Sequence, residues 1–151
     1  MQAIKNWPSL TDLKSVRAFV SLCSYYRKFV KDFARIAAPL TDLLKKDMFK
    51  TPLPDEALAA FDKLKEALMS APVLAYFDVT KCHELYVDAC GVSIGAVLQQ
   101  HDEKDPDDGS HPVGFYSRRL NPAEQNYATY DKELLGLRDG VLHFRHQLEQ
   151  F

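Results

Sequence analysis

The chain has 151 residues, 46% of them apolar, with a formal net charge of −2. That length and apolar content support one ordinary domain or two small modules with a real core, and exclude disorder as the default. Three widely spaced cysteines, Cys23, Cys82 and Cys90, form no disulfide framework or zinc spacing, which points to a reducing, intracellular compartment, cytoplasmic or nuclear. No apolar run approaches the roughly 18 residues of a membrane span, and the N-terminal residues lack the apolar stretch of a signal peptide.

The small net charge conceals an asymmetry. Residues 1–50 carry ten Lys/Arg against four Asp/Glu, whereas residues 51–151 carry nine against seventeen. A basic half followed by an acidic half fits a phosphate-contacting arm beside a cation-binding site, and fits ordinary solvated surface equally well.

The first module, residues 1–72, reads as helical. Leu13, Val16, Val20, Cys23 and Val30 recur at helical steps, widened by Phe19, Tyr26, Phe29 and Phe33. Thr11 is the expected cap of this helix. Pro39 is expected to end or restart the path, with Leu40, Leu43 and Leu44 in a short second helix. Asp55 opens a third, with Leu58, Phe61, Leu64 and Leu68 on its face, and Ala71-Pro72 stops it.

The second module, residues 73–151, reads as strands followed by a helix. His83–Asp88 and Ser93–Gln100 alternate around a small-residue turn, and Val113–Arg118 forms a third strand. Short links between them predict an antiparallel meander. Between the last two strands, Asp102, Glu103, Asp105, Asp107 and Asp108 lack the glycine and terminal glutamate of a calcium loop, so a solvated loop is the reading. Asn121, Pro122 and Glu124 form a capping-box pattern that is expected to open the last helix. The stripe Tyr127, Tyr130, Leu134, Leu137, Val141, Phe144 and Leu148 is expected to cover the sheet. Gly136 and Gly140 share a side of that helix with Glu133, so a close approach to the sheet is expected there, with Glu133 pointing toward it.

Asp88, at a strand end, and Glu133 are a candidate pair of hard oxygen ligands for Mg²⁺ or Mn²⁺. Two such ions commonly serve phosphodiester hydrolysis, one activating water and one stabilising the leaving oxygen. The plainer alternative is a surface aspartate and a solvated helical glutamate. Lys14, Arg17, Arg27, Lys28, Lys31 and Arg35 could contact phosphates, with Tyr25 and Tyr26 stacking; the alternative is half-buried tyrosines and solvated cations. His143 and His146 lie one turn apart with no third ligand near in sequence, and read as packed or solvated histidines rather than zinc ligands.

A set of ordered motifs then bears on these alternatives. Ala3-Ile4-Lys5-Asn6-Trp7-Pro8, Val20–Val30 with its Tyr25-Tyr26-Arg27 centre, and Ala37–Leu44 resemble the entry to and body of a reverse transcriptase thumb. Phe61–Lys65 and Pro72–Leu74 resemble the connection. Val87-Asp88-Ala89 with Ile94–Gln100, then Ser117–Leu120, Glu124–Tyr127 and Lys132–Leu135, resemble the first three strands and first helix of a ribonuclease H domain. The whole chain is similar to gypsy-type long-terminal-repeat retrotransposon Pol polyproteins. Cys90, Thr51 and Gly136 depart from the usual pattern, where a small hydroxyl residue, a tryptophan and an alanine are more common.

The resemblance implies an α+β architecture: helical thumb and connection elements, then a truncated ribonuclease H-like meander covered by a long helix. It implies RNA-directed DNA synthesis and Mg²⁺-dependent cleavage of RNA–DNA hybrids in the parent protein. Asp88 and Glu133 would be the first two carboxylates of the nuclease site, and Lys14, Arg17, Tyr25, Tyr26, Arg27, Lys28 and Lys31 part of the grip on primer–template or hybrid. The family's third aspartate lies on a later strand, and the sequence stops eighteen residues past Glu133. The expectation is therefore weak or absent metal binding, little nuclease activity for this chain alone, and an open first-strand edge prone to homodimerisation. A domesticated nucleic-acid-binding or protein-interaction module is the alternative.

Overall fold

Alternating apolar residues, tight links and a long helix bearing small residues on one side assemble the second half of the chain into a sheet roofed by a helix. A computed structural model describes residues 2–105, 107 and 109–150; Asp108 of the acidic loop lies outside the described residues. The elements run α1 (Gln2–Lys5), α2 (Leu13–Tyr25), a single 3₁₀ turn (Arg27–Phe29), α3 (Phe33–Leu43), α4 (Asp55–Met69), β1 (Cys82–Ala89), β2 (Ser93–His101), β3 (His111–Arg119), α5 (Pro122–Gln125), α6 (Thr129–His143) and α7 (Arg145–Leu148). The strands form an antiparallel sheet in the order β1-β2-β3.

Several local expectations shift. Asp12, not Thr11, caps α2: its carboxylate accepts from the Ser15 N–H at 2.7 Å, and the Ser15 hydroxyl accepts from the Asp12 N–H. This reciprocal arrangement satisfies two orphan donors at once. The long apolar run breaks at Tyr26, so Phe29 belongs to the 3₁₀ turn and Phe33 opens α3. Pro39 sits inside α3 rather than ending it. Its fixed φ suits a helix, and burial of Ala37, Ala38, Leu40 and Leu43 offsets the missing N–H bond. The Asn121–Glu124 capping box is present, but it opens only the four-residue α5; α6 starts afresh at Thr129.

Two apolar clusters result. One gathers Val16, Phe19, Leu40, Leu64 and Leu68 with their neighbours from residues 4–68; burial there pushes the Cys23 thiol up to about 12. The other joins Ala96, Leu98 and Phe144 with Phe77, Leu85 and Val87. β2 is buried along almost its whole length because both of its faces are covered. α6 lies on the face bearing Leu85, Val87, Ile94 and Ala96. The helical module lies on the other, where Asp32 meets Gly95 and Ala34 meets Ser117. Gln100, also buried, fastens the connector into this frame: its side chain accepts from the Asp78 N–H and donates to the Tyr76 carbonyl.

The largest correction concerns α6. The apolar stripe does not cover the sheet: Tyr127, Leu134 and Val141 are exposed, Tyr130 is 68% exposed and Leu137 47%, while only Phe144 is buried and Leu148 half-buried. The sheet instead receives Gly136, Asp139 and Gly140. A Cβ on Gly136 would stand 2.6 Å from Val87 Cγ1, and one on Gly140 3.1 Å from Ala96 Cβ. The glycines thus select the contacting face through close approach, and the apolar residues are turned away. Glu133, one turn before Gly136, is exposed rather than buried against the strands.

This packing separates two substitutions. Gly136→Leu forces a branched side chain into Val87 and is expected to cost about 3 kcal/mol of stability. Leu137→Ser, on the outward stripe, is expected to cost about 1 kcal/mol or less, since half of that side chain is already in water. Urea denaturation of the two variants, read as the shift of midpoint at constant slope, checks the order.

Candidate functional site

The basic residues fall into two groups. Lys14 and Arg17 stand exposed on the outer side of α2, opposite the buried Val16, Phe19, Val20 and Cys23. Arg27, Lys28 and Lys31 follow its end and are exposed too. Lys14, Arg17, Lys28 and Lys31 form no ion pair among the described residues, whereas Arg35 is bound to Asp32 at 2.9 Å. The tyrosines divide: Tyr25 projects, 78% exposed, while Tyr26 packs on the helical core, the two rings meeting edge-on at 5.0 Å.

Arg27 does more than face solvent. Its guanidinium donates to the Ser117 carbonyl on β3 at 2.6 Å and lies 5.1 Å from the Phe33 ring centre. The Ser117 hydroxyl accepts from the Ala34 N–H at 2.9 Å. Ala34 is in the first turn of α3, where N–H groups have no partner within the helix, and Asp32 makes no side-chain cap bond. β3 therefore caps α3 from across the fold. Arg119 on the same strand donates to Asp42 at 2.6 Å, and this hydrogen bond, with a second from Lys45, draws the Asp42 carboxyl below its usual range against a burial effect that opposes it.

Asp88 lies on the sheet face turned toward this helical module. It lines a small cavity of about 70 Å³ with Lys31, Asp32, Tyr86, Gly95 and Tyr116. Asp88 pairs with Gly95 in the sheet register. A Cβ at Gly95 would sit 2.9 Å from Asp32 Oδ1, so glycine is what allows the helical module to approach there. Glu133 belongs to the helix on the opposite face of the sheet. The structure thus brings Lys31 and a second carboxylate, Asp32, to the cavity that Asp88 lines, a lining that does not include Glu133. No group of three or more His, Cys, Asp and Glu that could hold a metal ion occurs among the described residues. Asp32 carries little local signal in the sequence: its three-residue spacing to Arg35 is the one cue, and nothing nearby marks its left-handed backbone (φ 56°).

On the α6 side, Arg118 ties β3 to α5 and α6. It donates to Asp139 at 2.5 Å and to both oxygens of Glu124 at 2.8 and 3.0 Å. The Arg118 guanidinium, helped by the Asn121 N–H, holds the Glu124 carboxyl at about 2. This network fixes the registry of α6, and with it the position of Glu133.

Against this geometry, residues 53–150 match the family described as the RNase H-like domain found in reverse transcriptase. The chain belongs to this family. It is 38% identical over 147 residues to the Transposon Tf2-3 and Tf2-4 polyproteins of Schizosaccharomyces pombe, an overlap that covers 97% of this chain and 11% of each polyprotein. Its fold matches the foamy viral protease-reverse transcriptase in complex with RNA/DNA hybrid, at a TM-score of 0.74 and 18% identity, over 95% of this chain and 19% of that one. A second foamy viral structure, in complex with double-stranded DNA, gives 0.76 at 18% identity over 97% and 25%. The resemblance to retrotransposon polyproteins and the α+β architecture therefore both hold. No described helix is long and apolar enough to cross a membrane.

The Arg118 network carries a pH signature. A carboxyl lowered by folding stabilises fully above its unfolded value, near 4.5, and loses that contribution as pH falls toward 2. The difference in Tm between the wild type and Glu124→Gln is expected to be constant above pH 5 and to shrink between pH 4.5 and 2, as thermal melts across that range would show.

Proposed function

We propose that this chain is the nucleic-acid-gripping segment of a retrotransposon reverse transcriptase–ribonuclease H, and that it binds RNA–DNA hybrid or primer–template through its basic helical surface. The observation that carries this reading is the set of exposed cations without ion pairs, Lys14, Arg17, Lys28 and Lys31, on a chain of this family. Projecting Tyr25 adds a ring free to stack. Foamy viral reverse transcriptases of the same fold have been solved with hybrid and with duplex DNA, which supports the same class of partner here. Contacts of this kind position a duplex without reading its sequence. An intracellular site of action fits the three free cysteines.

The parent activities proposed are RNA-directed DNA synthesis and Mg²⁺- or Mn²⁺-dependent cleavage of the RNA strand. Asp88 and Glu133 are exposed carboxylates with no ion pair to a described residue, and their hard oxygens suit such a cation. When bound, the ion would polarise a phosphoryl oxygen and acidify a coordinated water. Because no third ligand joins these two carboxylates among the described residues, this chain by itself is proposed to hold the metal weakly and to cleave little. The contribution proposed for Lys31 is local: it places positive charge beside Asp88.

The open edge of β1 favours a second reading, a protein-interaction module. Among the described residues β1 has a strand neighbour on one side only, and an unpaired strand edge is a template for strand addition, including by a second copy.

Fluorescence anisotropy with a labelled 12-base-pair hybrid distinguishes these readings. Binding is expected to weaken linearly in log salt, and the double variant Lys28→Gln/Lys31→Gln to reduce the slope by about two. The labelled RNA is expected to stay intact in Mg²⁺. Salt-insensitive binding would overturn the phosphate-contact reading, and cleavage abolished by Asp88→Asn would overturn the proposed inactivity.

A further inference from the structure

The seam between the helical module and β3 opens into a cleft of about 380 Å³. Its lining includes Ser24, Arg27, Thr41, Lys45, Arg118 and Arg119, and no acidic residue. We infer that this cleft is a binding site for a phosphate group, held by Arg27, Lys45 and Arg119. Arg27, Lys45 and Arg119 stand outside the family's metal-site chemistry, and only Arg27 contributes to the exposed basic surface described above.

The cleft is built for an anion rather than merely decorated with charge. Four cations line it, and the three carboxylates that pair with them, Asp42, Glu124 and Asp139, stand outside the lining. The pairing leaves an excess of positive charge and fixes the orientation of the donors. Arg118 is largely spent: four of its five N–H groups go to Asp139, Glu124 and the Arg119 carbonyl. Among the described residues Arg27 makes a single hydrogen bond, to a neutral carbonyl, and no ion pair, and so has donors to spare. Lys45 uses one donor on Asp42, and Arg119 reaches Asp42 and Thr41 through its terminal nitrogens, leaving its Nε free. Guanidinium forks and an ammonium lining one cleft match the several oxygens of a phosphate. The Ser24 hydroxyl, which bonds no described residue through its side chain, adds a donor.

A phosphate lodged there would touch both modules at once, through the turn after α2, the end of α3 and strand β3. Two sources supply this chemistry: a nucleic-acid backbone, which rests on the function proposed above, and a soluble phosphate compound. The backbone is favoured because Arg27 belongs to both the cleft and the exposed basic surface, so one strand can run from Lys28 into the seam.

The test uses the full chain with two probes, inorganic phosphate followed by amide NMR shifts and the 12-base-pair hybrid followed by anisotropy. Lys45→Gln is compared with Lys46→Gln, which removes the same charge from an exposed neighbour outside the cleft. Phosphate is expected to shift amides near Arg27, Lys45 and Arg119, and Lys45→Gln to weaken both ligands about three- to tenfold while Lys46→Gln changes either by less than about twofold. If Lys45→Gln weakens phosphate binding but not hybrid binding, the site stands and its source is a soluble phosphate. If the hybrid binds with a salt slope but the two variants are equal for both probes, the seam site falls while the proposed function survives. If phosphate shifts no seam amide and Lys45→Gln matches Lys46→Gln, the inference is overturned; failure of the hybrid to bind at all overturns the proposed function alone.

Discussion

Ser117 is the point on which the arrangement of the two modules depends. It is 4% exposed, and its two polar oxygens face the helical module: the hydroxyl takes the Ala34 N–H and the carbonyl takes Arg27. Without these bonds, an orphan N–H at the head of α3 and a strand carbonyl would be buried unsatisfied, at a cost of about 1–3 kcal/mol each. The consequences spread along the strand. Arg119 clasps Asp42 two residues on, and Gly95, opposite Ser117 in the register, gives Asp32 room to approach. Asp88 therefore opens onto a space walled by the helical module rather than onto bulk solvent alone.

The other face obeys a different rule. α6 reaches the sheet through two glycines, so its backbone lies close to Val87 and Ala96, and Arg118 anchors it through Asp139. Close approach of a glycine face and an outward apolar stripe are two sides of one choice: only one side of a helix can face the strands. The price of that choice is a row of apolar side chains in water beside the unpaired edge of β1. That surface and edge are where the second, interaction-module reading finds its support.

How far the sequence speaks follows from the range of the interactions involved. The three strands lie within two residues of their expected bounds, because alternation and turn chemistry are local. Asp55 and the stop at Ala71-Pro72 bound α4 for the same reason, although Ala57 and Ala60 are buried in place of the expected Leu58. Periodicity misjudged α6, since a three-and-four repeat marks an apolar side without saying which side meets the sheet. It also missed the two-sided burial of β2, which needs the helical module in place. The hydrogen bonds that join the modules span 77 to 90 residues in sequence, from Arg119–Asp42 to Arg27–Ser117. No local pattern announces them. Asp88 and Glu133 stand out as candidates in the sequence, by position and by family resemblance, whereas Asp32 in the cavity beside Asp88 emerges only from the folded chain.

The central claim is that the seam makes the helical module and the sheet one cooperative body, so that basic surface, cleft and Asp88 keep fixed positions relative to each other. The single tryptophan, Trp7, packs against Phe19 within the helical core and reports that module alone. Urea unfolding followed by Trp7 fluorescence, in parallel with hydrogen-exchange protection of the β2 amides, tests the claim directly. Coincident transitions are the predicted result; loss of the Trp7 signal at a lower urea concentration than loss of β2 protection, or the reverse, would contradict it.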